Sequence, residues 1–231
     1  MIKSGIDQEA LIAMLSSASA RQGEMVRASV RDMTLKALQG RELTLQNIRK
    51  VLSTVTAAAS AGALKNAAPA IDVEALLEQT LTGMDDALLK AVEANRMALQ
   101  QFVDQGVNLQ ESQLKKALGD LERFEDALFN SVSKGSVDAG DRVQAMWQPV
   151  LDAMRMKGTA TGATADATAQ QLMGQMQTAM RASRAAGLRA ANAMAQNYAA
   201  LVSGVLIGMS EALKSGQGGS GAGRKGSSSS K

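Results

Sequence analysis

The chain lacks two residue types on which most enzyme active sites depend, because its 231 residues include no histidine and no cysteine. Without histidine there is no imidazole base that titrates near neutral pH, and without cysteine there is neither a thiolate nucleophile nor a disulfide. The Cys/His ligand sets of zinc sites are excluded as well. We therefore predict a non-enzymatic protein with no cofactor and no metal.

Aromatic residues and prolines are scarce, at 2% of the chain and two residues respectively, although 45% of the residues are hydrophobic. The apolar content therefore consists of alanine, leucine, valine and methionine, which suit helix packing better than a sheet core. We predict an all-α fold, an elongated antiparallel helical bundle that resembles a coiled coil, with long helices and a disordered C-terminal tail.

Apolar residues recur at spacings of three and four along five segments. They predict helices over about 7–39, 44–64, 72–133, 141–156 and 166–214, in a single bundle domain of residues 1–214. Asp7, Thr44 and Asp72 are expected to cap the first three helices. We expect the first helix to continue through the polar turn at 16–23, and the third to break near Gly106.

The third segment combines an apolar stripe with many carboxylates. Its acidic residues could suggest a di-metal bundle, but such sites normally use a Glu-x-x-His motif, and the chain has no histidine. We interpret these acids as a solvated face, although Glu125 interrupts the heptad core. The residues concerned are Asp85, Asp86, Asp120, Glu122, Glu125 and Asp126.

The last predicted helix has one ridge of small residues and one large apolar face, and residues 190–210 contain no charge. Small residues let another helix approach closely, and a Gly-x-x-x-Gly pair is also a membrane dimer motif. Because Asn192, Gln196 and Asn197 interrupt the apolar run, we prefer contact within a bundle to a membrane-spanning helix. The residues predicted for an apolar surface or helix packing are Met194, Tyr198, Leu201, Gly204, Val205, Gly208 and Met209.

The net charge of +3 divides unevenly, at +4 over residues 1–71, −8 over 72–141 and +7 over 142–231. Arg181, Arg184 and Arg189 could contact an anion or pair with the acidic middle. The Gly/Ser tail, residues 215–231, should be disordered. Its Arg224 and Lys225 serve either solubility or a weak, nonspecific contact with nucleic acid or anionic lipid.

Two segments are expected to act as hinges, residues 62–69 and 158–168, since both are rich in small residues and neither contains a continuous apolar stripe. The N-terminal segment carries Asp7 and Glu9 where a signal peptide avoids acid, and its apolar run is short. We therefore expect a cytoplasmic protein.

These features resemble the phasins, bacterial proteins that coat polyhydroxyalkanoate storage granules. The resemblance lies in the Ala- and Met-rich amphipathic helices, in the run at 176–197 that contains Met-Gln-x-x-Met and Ala-Asn-Ala-Met-Ala-Gln-Asn, and in the basic low-complexity tail. The chain departs from phasins in its Gly/Ser tail and its few phenylalanines. The resemblance implies no particular site residues.

The resemblance implies a non-catalytic coat protein. Its helices would place their apolar faces on a hydrophobic polymer or lipid surface and their charged faces toward the cytoplasm. Fourteen methionines would make that face adaptable. A membrane-active, pore-forming bundle and a structural coiled-coil scaffold remain as alternatives. We expect a homo-oligomer that associates with a granule or membrane surface.

Overall fold

The structure, a computed structural model, describes residues 5–18, 22–39, 42–66, 72–104, 111–182, 202–207 and 209. These residues form helices and short connections, with no strand among them. Seven helices lie within the described residues up to 182: α1 (Gln8–Ser17), α2 (Gly23–Gln39), α3 (Leu45–Lys65), α4 (Val73–Asp104), α5 (Glu111–Asp138), α6 (Asp141–Lys157) and α7 (Ala160–Ala182). Residues 202–207 and 209 are also helical. The all-α prediction is confirmed.

Three helices begin where the sequence predicted a capping side chain. Asp7 Oδ1 accepts from the backbone N–H of Ala10, and Thr44 Oγ1 accepts from that of Asn47. Asp72 Oδ1 likewise accepts from the N–H of Ala75. Each bond satisfies one of the backbone donors that a helix start leaves without an intrahelical partner.

The first and third predicted helices start where expected, but each is divided into two helices. The first predicted helix is two, because α1 ends at Ser17 and α2 starts at Gly23. Ser16 and Ser17 have low helix propensity, and Ala18 adopts an extended backbone conformation (φ −62°, ψ 142°) that ends α1. The third predicted helix is also two, as expected, and α5 continues past residue 133 to Asp138.

Helices that are not consecutive in the chain pack side by side in parallel. Gly62 of α3 lies against Ile12 and Leu15 of α1, and Asn66 Nδ2, just beyond α3, donates to the carbonyl oxygens of Leu15 and Ala18. The two helices therefore run in the same direction. The α2–α4 pair is also parallel, since Gly23 faces Gln79 and Arg27 faces Gly83 and Asp86.

The second half of the chain adds an antiparallel layer. Helix α5 runs opposite to α7, because Glu125 lies at the start of α7 and Leu118 lies near Met173. Helices α6 and α7 follow α4 in the same direction, as the Glu78–Lys157 and Asp85–Thr161 contacts indicate. Helices α4 and α5 are therefore antiparallel, as the bundle prediction required.

The core is one continuous cluster of mostly aliphatic side chains contributed by all seven helices. The stripe predicted on α4 lies within it: Leu77, Leu81, Met84, Leu88, Val92 and Leu99 are fully buried. The single tryptophan, Trp147 of α6, is also fully buried and donates from its indole nitrogen to Ser60 Oγ of α3 at 3.0 Å. This bond ties α6 to α3 through the core.

Candidate functional site

An open groove runs between α5 and α7. Its volume is about 540 Å³, and it is lined by Leu118, Gly119 and Glu122 of α5 and by Ala169, Gln170, Met173 and Gly174 of α7. Volumes of this size are usual for sites that accept apolar ligands. The groove leaves no local signal in the sequence, because its lining comes from two helices whose antiparallel pairing a single sequence does not specify.

The glycines that line the groove, Gly119 and Gly174, face open space and not a neighbouring helix. A Cβ added to Gly119 or Gly174 would meet nothing within 4 Å, whereas one added to Gly62 or Gly83 would meet a neighbouring helix at 2.6 Å. The first pair therefore lines open space, and the second permits close packing. Met173 stands at the groove with 42% of its surface exposed.

The start of α7, at one end of the α5–α7 interface, is built from side chains of three helices. Asp85 of α4 accepts from the backbone N–H of Ala160 at 2.9 Å and of Thr161 at 3.2 Å. Thr159 Oγ1 accepts from the N–H of Gly162 at 2.8 Å. All three N–H groups at the beginning of α7 are thus satisfied, two of them by a carboxylate from another helix.

The same cluster is joined to α5. Thr159 Oγ1 donates to Glu125 Oε1 at 2.7 Å, and Thr161 Oγ1 donates to the backbone carbonyl of Asp85 at 3.0 Å. A Cβ added to Gly162 would lie 2.6 Å from the Glu125 carboxylate. Glu125, which interrupts the heptad pattern, therefore occupies a place that requires a polar side chain and a glycine opposite it.

The predicted hinge at 158–168 is mostly wrong, since only Gly158 and Thr159 separate α6 from α7. Gly158 has a φ of +74° and a ψ of 167°, a backbone conformation that is essentially restricted to glycine and that interrupts the helix between α6 and α7. The caps from Asp85 and Thr159 then start a new helix immediately. The predicted hinge at 62–69 is wrong for residues 62–65, which belong to α3, and residues 67–69 lie outside the described part of the chain.

The prediction that the acids form a solvated face is wrong for Asp85, which is only 3% exposed. Burial raises the pKa of its carboxyl group, hydrogen bonds from Thr161 and Ala160 oppose that rise, and the charge of Asp86 adds to it. Asp86 is partly buried and pairs with Arg27 of α2 through two bonds, of 2.6 and 3.0 Å. Within the described residues no group of three or more acidic side chains is placed to hold a metal ion.

Most of the side chains predicted to form the site lie outside the described residues: Met194, Tyr198, Leu201, Gly208, Arg184, Arg189, Arg224 and Lys225. Arg181 belongs to α7, but its side chain is also outside them. Val205 and Met209 are partly buried and pack against the core. Gly204 is exposed, and a Cβ there would meet nothing within 4 Å.

In the part of the chain that the structure describes, none of the helices is both long and apolar enough to cross a membrane. The segment on which the spanning alternative was centred, residues 190–210, is described only at 202–207 and 209. Val202 and Leu206 of that segment are buried in the core.

A family model described as a family of unknown function, DUF6781, matches residues 1–215. The match covers nearly all of the helical part of the chain, and the chain belongs to this family. No curated protein and no solved structure is significantly similar to it.

Proposed function

We propose that this member of the DUF6781 family is a non-catalytic protein that binds a hydrophobic surface, and that the surface is a polyhydroxyalkanoate granule. The observation that carries the proposal is the open apolar groove between α5 and α7, with Met173 half-exposed beside it. A flexible thioether on an open groove suits a partner without a fixed shape. The segment at 190–210, which follows α7 in the chain, is uncharged and contains methionine, a composition that suits the same kind of partner.

Adsorption would replace helix–helix contacts with contacts to polymer. Burial of apolar area contributes about 25 cal/mol per Å², whether the area is covered by another helix or by the polymer. Where the bundle must open first, the exchange is therefore nearly neutral in free energy. Where the apolar surface faces water before adsorption, as in the groove, binding is favourable. The groove therefore supplies the first contact, and opening of the bundle supplies the rest.

The test is cosedimentation of the purified full chain with amorphous polyhydroxybutyrate particles, compared with phosphatidylcholine/phosphatidylglycerol vesicles. Met173→Gln removes an apolar group from the groove while keeping the side-chain length. Met156→Gln is the matched control, because Met156 of α6 is 84% exposed and does not line the groove. We expect Met173→Gln to weaken binding to the particles about three- to tenfold, the loss that partial burial of one methionine implies, and Met156→Gln to leave it unchanged.

Three results would overturn the proposal. Equal binding by Met173→Gln and Met156→Gln would show that the groove does not contact the polymer. Release of dye from the vesicles without binding to polyester would favour the membrane-active alternative. Stable oligomers by light scattering, with binding to neither surface, would favour the scaffold alternative.

A further inference from the structure

The first part of α7, residues 160–175, whose side chains the structure describes, is attached to the bundle by a polar face. The buried side chains within these residues are Thr161, Ala165, Thr168, Ala169 and Leu172, of which only leucine is large and apolar. By contrast, α3 buries four large aliphatic side chains in its first half: Ile48, Val51, Leu52 and Val55. Since burial of apolar area is the main source of docking energy, the first half of α7 gains little from it.

The sequence of this half also disfavours a helix in isolation. Residues 160–168 read Ala-Thr-Gly-Ala-Thr-Ala-Asp-Ala-Thr, and threonine, aspartate and glycine all have low helix propensity. A short segment of this kind does not keep a helix in water without tertiary contacts. Its helical state therefore depends on the groups that hold its first turn.

Those groups are the side chains of Asp85, Glu125, Thr159 and Thr161, which we call the α7 latch. Together they make five hydrogen bonds among α4, α5 and the start of α7, between 2.7 and 3.2 Å in length. The three bonds to Asp85 require α7 to be both helical and docked, because Ala160 and Thr161 of the first turn must be helical and α7 must lie against α4. The Thr159 hydroxyl joins the same two conditions, since it accepts from the N–H of Gly162 within the first turn and donates to Glu125 of α5. Helix formation and docking are thereby coupled.

We propose that the α7 latch is a conformational switch, which on release lets α7 unfold and leave α4 and α5 while α1–α6 keep their packing. The departure of α7 widens the groove at Leu118 into an apolar face that spans α4 and α5. The role of that face in binding polymer rests on the proposed function, whereas the release itself is a property of the chain in solution.

Amide hydrogen exchange of the full chain, followed by mass spectrometry, tests the release without any polymer. Thr159→Ala removes the α7 cap and the bond to Glu125, and Asp85→Ala removes the acceptor of two N–H groups. Asp72→Ala is the matched control, because it also removes a carboxylate cap, but one that bonds only to the first turn of its own helix, α4. Peptides from α3 serve as the internal reference.

We expect amides of residues 160–175 to exchange about 5- to 30-fold faster in Thr159→Ala and Asp85→Ala, the factor that corresponds to the loss of a helix cap. Exchange in α3 should be unchanged in both variants, and Asp72→Ala should leave α7 unchanged. Trp147 fluorescence should keep its emission maximum, since α6 stays docked on Ser60.

Unchanged exchange in α7 of both latch variants would overturn the proposal. Faster exchange throughout α3–α7 with a red-shifted Trp147 would overturn it too, because the cluster would then support the whole fold. A separate measurement, the rate of adsorption to polyhydroxybutyrate particles, tests the link to the proposed function. Faster exchange in α7 without faster adsorption would leave the switch in place and contradict its role at a polymer surface.

Discussion

Replacing Gly83 with alanine should destabilise the protein, whereas the same change at Gly119 should stabilise it. Both glycines lie inside helices, where alanine is favoured by about 1 kcal/mol. At Gly83 a Cβ would lie 2.6 Å from the Arg27 carbonyl oxygen and 3.2 Å from the backbone nitrogen of Arg31. These are backbone atoms of α2, so the clash is relieved only if the two helices move apart.

The expected sizes follow from these contacts. Overpacking of this kind costs about 1–3 kcal/mol. At Gly83 we expect the upper part of that range, about 2–3 kcal/mol, because the Arg27–Asp86 pair and Val30 must shift with the helix. After the gain in helix propensity of about 1 kcal/mol, a net loss of about 1–2 kcal/mol remains. At Gly119 a Cβ would meet nothing within 4 Å, so the full gain of about 1 kcal/mol should remain. That gain corresponds to a Tm about 2–4 °C higher for a chain of this size.

The assay is urea unfolding of both variants and the parent chain, followed by far-ultraviolet circular dichroism and by Trp147 fluorescence. The two probes should give the same midpoint if unfolding is cooperative. The reasoning would be refuted if Gly83→Ala were as stable as Gly119→Ala, because the parallel α2–α4 contact would then not exist at the distance described.

Two further predictions concern buried polar groups. Ser60→Ala should lower the free energy of unfolding by about 1–3 kcal/mol, because it leaves the Trp147 indole N–H buried without an acceptor. Ser60→Thr, which keeps the hydroxyl, is the control. Equal urea midpoints for Ser60→Ala and the parent chain would contradict the Trp147–Ser60 hydrogen bond. The raised pKa of Asp85 means that the folded protein binds this proton more tightly than the unfolded chain, so its contribution to stability is complete below about pH 3.9 and is lost as the pH rises through the folded pKa. Urea midpoints measured over a pH series should show the parent chain losing stability relative to Asp85→Asn as the pH rises from about 3.9 through the folded pKa of Asp85. If the parent gained stability relative to Asp85→Asn over that pH range, the hydrogen bonds to the carboxylate would outweigh the effect of burial.

Much of the architecture could be predicted from local signals in the sequence. Helix α3 was predicted within one residue at each end, because Thr44 caps it and its apolar stripe is regular. Leu77 through Leu99 could be assigned to the core since their spacing is helical over several turns. Such features depend on residues close together in the chain, which is why periodicity and capping rules find them.

The start of α7 could not be predicted in this way. Its own residues favour a loop, and the helix exists because Asp85, about 75 residues earlier, satisfies its first donors. The same distance explains why Asp85 was mistaken for a solvated acid: an aspartate beside a second aspartate gives no local sign of burial. The one local signal was Glu125, because a carboxylate at a heptad core position needs a polar partner. The sequence did not indicate that this partner is Thr159.

The parallel pairing of α1 with α3 and of α2 with α4 has a consequence for synthesis of the chain. Arg27 meets Asp86, 59 residues later, and Leu15 meets Asn66, 51 residues later. At about 5–20 residues translated per second, α2 waits about 3–12 s after it is made before its partner exists. The first two helices therefore leave the ribosome with Leu11, Leu15, Val26 and Val30 uncovered, and a nascent-chain chaperone would meet these side chains before α4 does.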